Sequence, residues 1–206
     1  NMIHLTLAEP KGDVNSYEHV NQRLHAWMKD EILVQDKESC IYYYSMEFQI
    51  NPDYVVGMNP GNTKRKLSGF IGLVKLEDFE SGVVIPHEIT FSKPKEDRLS
   101  LLESCHTHLE PVYALYEDKS RKINYALQKS VGLNKPNIEI EDSNQTIHHF
   151  WKVNHPQLIH QVESELIGKS LLIADGHHRY EAALTYRDRL RKKLKDFSND
   201  HPSNYM

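Results

Sequence analysis

The stretch Ser170–Leu184, SLLIADGHHRYEAAL, decides the fold. Its first part, Leu171–Ala174, is apolar and predicts a short buried strand. An Asp-Gly pair interrupts that strand, and the residues from His178 onward predict a long helix. A glycine turn that opens a helix suits an anion, because unpaired backbone N–H groups and the positive end of the helix dipole lie there. Arg179 adds a bidentate donor for the same anion.

The same turn also fits a purely structural role, in which its polar side chains cap the helix. Spacing alone supports the two interpretations equally. The adjacent His177 and His178 favour a functional site, since a buried imidazole is costly without a ligand or a partner. Zinc binding is disfavoured, because a structural zinc site needs three or four protein ligands and the sequence has no Cys-x-x-Cys or His-x-x-x-His pattern.

Composition excludes several classes of protein. The chain has 206 residues, 39% of them hydrophobic and 26% charged, and its net charge of −4 is not that of a polyanion-binding protein. Two cysteines, Cys40 and Cys105, do not form a disulfide framework and suggest a reducing compartment. No apolar run approaches the ~20 residues that cross a bilayer, so we expect a cytoplasmic protein without a membrane partner.

Hydrophobic periodicity predicts alternating strands and helices along the chain. The predicted elements are a strand at 1–7, a helix from residue 15 or 16, an antiparallel pair of strands at 40–50 and 67–76, a strand at 83–86, a helix at about 95–106, a strand at 112–116, a weaker helix at 119–133, a hairpin of 138–141 and 146–153, a helix at 156–167, and the opening strand followed by a helix at about 178–196. Residues 204–206 resemble the start of another strand. These ends predict that the chain is a fragment of a longer protein.

Other polar groups are candidates for chemistry. His87 and Glu88 follow a predicted strand, and a carboxylate beside an imidazole can act as a general base, although a surface glutamate in a loop fits as well. Lys93 and Arg98 could attract phosphate or pair with neighbouring carboxylates. The basic run 187–195 fits either nucleic-acid binding or a solvated helix face, and the solvated face is favoured.

Two segments together resemble a known superfamily. The first is Pro86–Arg98, PHEITFSKPKEDR, the second is Asp175–Leu184, DGHHRYEAAL, and the sequence EPVY at 110–113 lies between them. This arrangement resembles the ParB/sulfiredoxin-like superfamily, and within it the branch that contains the nucleotide-dependent free-serine kinases. The segments are still more similar to a large, mostly uncharacterised bacterial and archaeal family of unknown function, often described as kinase-related. That closer resemblance covers nearly the whole chain, and members of the family are longer than this chain.

The resemblance implies a nucleotide site and a base. The run Gly176–Arg179, which includes His177 and His178, matches the turn that binds nucleotide phosphates. Glu88 matches the glutamate that deprotonates the acceptor hydroxyl. Together with a divalent cation, such a set would suffice for phosphoryl transfer, which depends on positioning and charge neutralisation.

The resemblance also implies the cofactors, which are ATP or ADP together with Mg²⁺. Asp175 matches an acidic position near the phosphates, where it would take part in catalysis and hold magnesium. His87, Lys93 and Arg98 are further candidates for contacting the substrate or a phosphate.

Two activities of the superfamily do not fit. Sulfiredoxin chemistry needs a reactive cysteine in the turn where His177 and His178 stand. ParB proteins carry a separate helical DNA-binding domain that the sequence does not show. The expected partners are therefore a nucleotide and a small-molecule acceptor; nucleic acid is disfavoured, and a homo-oligomer is left open.

We therefore predict an α/β (α+β) protein with mixed sheets. Residues 1–82 would pack a helix on antiparallel strands, and residues 83–206 would form a ParB/sulfiredoxin-like domain with an insertion at about 117–169. The expected function is nucleotide-dependent phosphoryl transfer to a small hydroxylated metabolite, with free serine as a candidate. The alternative is a nucleotide-binding regulatory module without catalysis.

Overall fold

The computed structural model describes residues 2–6, 16–50, 63–88 and 91–206. Within them, six α-helices and two β-sheets form a mixed α+β protein, which confirms the predicted class. The helices are α1 (Ile3–Thr6), α2 (Ser16–Lys29), α3 (Ser92–Cys105), α4 (Lys122–Val131), α5 (Pro156–Leu166) and α6 (His177–Lys193). The strands are β1 (Ile41–Gln49), β2 (Lys64–Ile71), β3 (Val84–Ile85), β4 (Tyr113–Tyr116), β5 (Ile138–Glu141), β6 (Ile147–Val153) and β7 (Leu171–Asp175). None of the described helices has the length and apolar character that a membrane span requires.

The elements group into two compact units that alternate along the chain. Unit one comprises Asn1–Gln35, Leu73–Glu117 and Gly168–Met206, and unit two comprises Asp36–Gly72 and Asp118–Ile167. The sequence predicts a division at residues 82 and 83 instead. The bounds differ because β1 pairs with β6, which joins the region 36–72 to the expected insertion.

Unit two is built on a four-stranded antiparallel sheet in the order β2-β1-β6-β5. Tyr43 of the central strand β1 lies opposite Phe70 on one side and Trp151 on the other, so large apolar side chains share one face. Both predicted antiparallel pairs are confirmed. Strand β2 begins at Lys64, earlier than the predicted residue 67, and residues 51–62 of the predicted connection lie outside the described ranges.

Unit one contains a three-stranded sheet in the order β3-β7-β4, with β7 in the centre. Strand β3 is parallel to β7, and β4 is antiparallel to it. The apolar residues of β7 lie against α6, where Ile173, Tyr180 and Ala183 form one buried cluster with Leu102 of α3. The strand and helix that the opening stretch predicts are therefore both present, at the centre of this unit.

The predicted strand at residues 1–7 is wrong for the described part of that range. Residues Ile3–Thr6 form the helical turn α1, because Leu5 is fully buried against Val20 and Leu24 of α2 and Leu101 of α3. Helix α2 begins at Ser16, as predicted. The sequence places this helix on the antiparallel strands β1 and β2, whereas its buried side chains pack on α3.

Local bounds differ in two further places. Helix α3 begins at Ser92 rather than near residue 95, and α6 runs from His177 to Lys193 rather than from 178 to 196. The predicted strand at 204–206 is reduced to a single bridge between Tyr205 and Lys75, after a short 3₁₀ helix at Pro202–Asn204.

Two buried side chains of α6 hold the segment 76–78. The Tyr180 hydroxyl donates to the Glu77 carbonyl and accepts from the Glu77 N–H, both at 2.9 Å. Burial raises the pKa of Tyr180, which keeps that hydroxyl protonated. The Arg187 guanidinium donates to the Leu76 carbonyl at 3.1 Å and to Asp78 at 2.7 Å. Arg187 is only 3% exposed. The prediction that residues 187–195 form a solvated basic face is therefore wrong for Arg187.

Replacing Arg187 with methionine should lower the free energy of unfolding by about 2–4 kcal/mol, because a buried carbonyl and a carboxylate lose their charged donor. Urea denaturation measures this change. The matched control is Arg189→Met, since Arg189 lies on the same helix, is 58% exposed and pairs with Glu103. That control should cost less than about 1 kcal/mol. Equal losses for the two variants would contradict a buried anchoring role for Arg187.

Candidate functional site

Three chain segments meet at one edge of the unit-one sheet. Because β3 and β7 are parallel, their carboxyl ends lie together, and Glu88 follows β3 as Gly176 follows β7. Strand β4 is antiparallel, so its beginning reaches the same edge, where Tyr113 lies opposite Asp175. Glu110 precedes that beginning. The topology therefore brings together polar residues that are far apart in the sequence.

Glu88 contacts the first histidine of the turn. Its Oε1 lies 2.9 Å from Nδ1 of His177. The carboxylate is 51% exposed, whereas the imidazole is 1% exposed. The two atoms are within hydrogen-bond distance but are not aligned as a hydrogen bond, and the described residues offer Nδ1 no other partner. The contact is thus a close pairing of a half-exposed carboxylate with a buried ring.

His87 lies beside the same ring. Its Nδ1 is 2.6 Å from the carbonyl oxygen of Ile173, in β7. The rings of His87 and His177 meet edge to face, with centroids 4.5 Å apart. The structure therefore brings together His87, Glu88 and His177, all of which the sequence singles out.

Arg179 lies over the glycine of the turn. Gly176 has φ +97°, and a Cβ atom built on it would lie 2.9 Å from both Nε and Nη2 of Arg179. The guanidinium thus packs against the glycine backbone at the start of α6. This close approach, together with the positive φ, explains why a glycine occupies the position.

Two carboxylates engage Arg179. Its Nη2 lies 2.5 Å from Asp175, and its Nη1 lies 3.9 Å from Glu110. Glu110 also accepts from Arg98, at 3.4 Å. Arg98, Glu110 and Arg179 line a cleft of about 30 Å³, which has room for on the order of two water molecules. A phosphate that binds there would compete with these carboxylates for the arginines.

The remaining predicted residues lie around these groups. His178 is partly buried, and its Nε2 accepts from the backbone N–H of Phe91 at 3.1 Å. Lys93 is exposed in the first turn of α3 and forms no ion pair within the described ranges. Lys95, two residues later, pairs with Glu181 of α6 at 3.2 Å.

The sequence gives no role to Glu110, which enters only as the first residue of the EPVY segment at 110–113. The available signal was its position next to Pro111, directly before a strand, in a segment that already contributes to the superfamily resemblance. Its contact with two arginines depends on β4 being antiparallel, which the sequence pattern does not specify.

Comparison with known proteins adds a family but no activity. The family described as "Protein of unknown function (DUF1015)" matches residues 1–206. The chain belongs to the DUF1015 family. No curated protein and no solved structure matches the chain. The predicted membership of an uncharacterised family of unknown function is therefore confirmed for this DUF1015 chain.

Within its described residues the DUF1015 chain has one cluster of metal-ligating side chains, and Asp175 is the residue predicted to hold magnesium. Ligand atoms of His87, Glu88 and His177 lie within 4.8 Å of one another, a set typical of a transition metal. Asp175 is 72% exposed and pairs with Arg179 through one oxygen, so its other oxygen could take a magnesium ion that phosphates share. Carboxylate oxygen is the ligand type that Mg²⁺ prefers, so the predicted magnesium residue fits the ion chemically.

Replacing Gly176 with alanine should lower the free energy of unfolding of the DUF1015 domain by about 1–3 kcal/mol, because an L-residue is strained at φ +97°. It should also displace the Arg179 guanidinium, since the new Cβ would lie 2.9 Å from it. Chemical denaturation measures the first effect and a crystal structure of the variant the second.

The control for Gly176 is Gly69→Ala in β2. No atom lies within 4 Å of a Cβ at Gly69, and its φ is not positive. That variant should change stability by less than about 1 kcal/mol. An unchanged stability and Arg179 position in Gly176→Ala would contradict the close-approach explanation.

Proposed function

We propose that this protein catalyses nucleotide-dependent phosphoryl transfer to a small hydroxylated metabolite, with free serine as a candidate acceptor. The observation that carries the proposal is the meeting, at one sheet edge, of a carboxylate and an arginine-bearing helix start. Glu88 lies 2.9 Å from His177, the first residue of α6, and Arg179 packs on Gly176 in the same turn. The resemblance to the free-serine kinases supplies the reaction class.

In this proposal the nucleotide phosphates bind at the start of α6. The first N–H groups of a helix are unpaired and its dipole is positive, so they favour an anion. Arg179 supplies a bidentate donor from the same turn, and Arg98 lines the adjoining cleft. Magnesium, held by Asp175 and the phosphates, would neutralise charge on the transferred group.

Glu88 would act as the general base for the acceptor hydroxyl. A base must lie within hydrogen-bond reach of the proton that it takes, and the 51% exposure of this side chain leaves it accessible to a small acceptor. Its contact with His177 ties the base to the same turn as the phosphate donors. Base and phosphates would then share one pocket in unit one.

The test is a turnover assay of the full-length protein. ATP or ADP is supplied with Mg²⁺ and a panel of hydroxylated metabolites that includes serine, and phosphorylated product is detected by mass spectrometry. The proposal expects product with at least one acceptor. Tight nucleotide binding without product from any acceptor would contradict the enzyme proposal.

A second candidate function is a nucleotide-binding regulatory module without catalysis. The observation that favours it is the engagement of Arg179 by Asp175 and Glu110 around a cleft of only about 30 Å³. A ligand that binds Arg179 competes with these carboxylates, and such competition can couple binding to a change of conformation. This candidate predicts that a nucleotide changes the conformation of the protein, and that no phosphoryl group is transferred.

A further inference from the structure

The two adjacent histidines of the turn both accept hydrogen bonds from the chain that follows β3. Nε2 of His177 accepts from the backbone N–H of His87 at 3.3 Å, and Nε2 of His178 accepts from that of Phe91 at 3.1 Å. Glu88 lies between these two donors in the sequence, and residues 89 and 90 lie outside the described ranges. Both imidazoles therefore act on the segment that carries the proposed base.

The hydrogen bond from His87 determines the proton position on His177. A ring nitrogen that accepts an N–H carries no proton, so the neutral ring must be protonated at Nδ1. A doubly protonated ring would have a donor at each nitrogen and could accept nothing. The Nδ1–H of His177 is buried, and Glu88 Oε1 at 2.9 Å is the acceptor within reach. The two atoms already lie at the distance of an N–H···O hydrogen bond.

The proton position on the His87 ring is also determined by a hydrogen bond. A carbonyl oxygen only accepts, so the 2.6 Å contact with Ile173 places a proton on Nδ1 of His87. This contact ties the segment to β7, while His177 and His178 tie it to α6. Three contacts that involve imidazoles thus hold the backbone on either side of Glu88.

The same hydrogen bonds argue against a metal ion at His87, Glu88 and His177. A metal bound at Nδ1 of His177 would move the proton of that ring to Nε2. Nε2–H would then face the N–H of His87 at 3.3 Å, so two donors would oppose each other. The hydrogen-bonding groups around His177 are therefore better matched by a proton between His177 and Glu88 than by a metal cation.

We propose that His177 is a positioning residue, whose neutral ring donates from Nδ1 to Glu88 and, with His178, holds the backbone at His87 and Phe91 on α6. This assigns His177 and His178 to the support of Glu88 rather than to phosphate binding. The part that concerns catalysis rests on the proposed function. The proton position and the attachment of the segment do not depend on it.

The proton position is tested by long-range ¹H–¹⁵N NMR of the full-length protein labelled on its histidines. His177→Gln assigns the resonance by its loss, and the spectrum is recorded with and without Zn²⁺. We expect a neutral ring that is protonated at Nδ1 and that keeps this proton in Zn²⁺. A ring protonated at Nε2, or one whose Nδ1 proton is lost on adding Zn²⁺, would overturn the proposal in favour of a metal site.

Attachment of the segment is tested by hydrogen exchange. In His177→Gln the amide can still accept from His87, so exchange of the His87 and Phe91 N–H groups should stay within about threefold of the wild type. In His178→Ala the Phe91 N–H loses its acceptor, and its exchange should rise at least tenfold. His160→Ala is the matched control, because His160 is 82% exposed on α5 in the other unit. Unchanged exchange in His178→Ala would overturn this part of the proposal.

The effect on Glu88 is tested by rescue. Asparagine at position 177 places an N–H near the position of Nδ1, whereas alanine does not. We expect His177→Ala to lower kcat at least tenfold with little change in nucleotide KM, and His177→Asn to recover most of that loss. Equal losses in the two variants would overturn the positioning role. If the wild type transfers no phosphate, the proposed function fails, while the NMR and exchange results still decide the inference.

Discussion

Glu88→Gln is expected to lower turnover by about 100- to 10,000-fold, the range associated with a general base. Glutamine has nearly the same shape but cannot take the proton of the acceptor hydroxyl. Glu88 follows β3 and is 51% exposed, so the substitution should leave the stability of the fold nearly unchanged. Nucleotide affinity should stay within about twofold, because the phosphate donors belong to α6 and the cleft beside it.

The measurement is kcat with the best acceptor, together with nucleotide affinity by titration calorimetry. Glu80→Gln is the control, since Glu80 is exposed in the short 3₁₀ helix Phe79–Ser81 of the same unit. It should retain full activity. A phosphorylating enzyme that keeps its rate in Glu88→Gln would exclude Glu88 as the base. A regulatory module would show little change in either binding or conformational response.

Arg179→Ala should lower kcat/KM by about 1,000-fold, in the range found when an arginine that stabilises a transferring phosphoryl group is removed. The loss has two physical sources. The phosphates lose a bidentate donor, and Asp175 and Glu110 lose the cation that partly neutralises them. Asp175 would then repel the incoming phosphates without a compensating cation, whereas Glu110 keeps Arg98, so nucleotide affinity should also fall, by at least tenfold.

Kinetics and calorimetry with ATP and ADP at fixed ionic strength measure both effects. Arg179→Lys should recover the charge but not the bidentate geometry, so it should lie between alanine and the wild type. Arg189→Ala is the matched control on the same helix, because its guanidinium is 58% exposed and pairs only at the surface with Glu103. Unchanged nucleotide affinity in Arg179→Ala would place the phosphates elsewhere and contradict the site assignment.

Local features of the candidate site could be predicted because each depends on neighbouring residues. The apolar run, the glycine and the polar residues at 170–184 specify a strand, a turn and a helix within one short stretch. The positive φ of Gly176 and the position of Arg179 at the helix start also depend only on residues within this stretch. The contact of Glu88 with this turn is explained by the parallel pairing of β3 and β7.

Other features required contacts between distant residues. Residues Ile3–Thr6 form a helical turn instead of a strand, because Leu5 is buried between two helices that the local pattern cannot bring together. The sequence pattern predicts that Arg187 is part of a basic surface. It is buried instead, and the carbonyl of Leu76 and the carboxylate of Asp78, from another segment, accept its hydrogen bonds. The alternation of the two units also depends on the pairing of β1 with β6.

The sequence by itself determined the α/β class, the strand-turn-helix at 170–184 and membership of the DUF1015 family, because periodicity and local turn chemistry are properties of contiguous residues. Tertiary structure alone decided what the two histidines contact. Nothing local predicts that His177 and His178 accept backbone N–H groups from residues 87 and 91. The physical reason is that those donors belong to the chain between β3 and α3, which follows the end of β3, and β3 lies beside the turn because it pairs in parallel with β7.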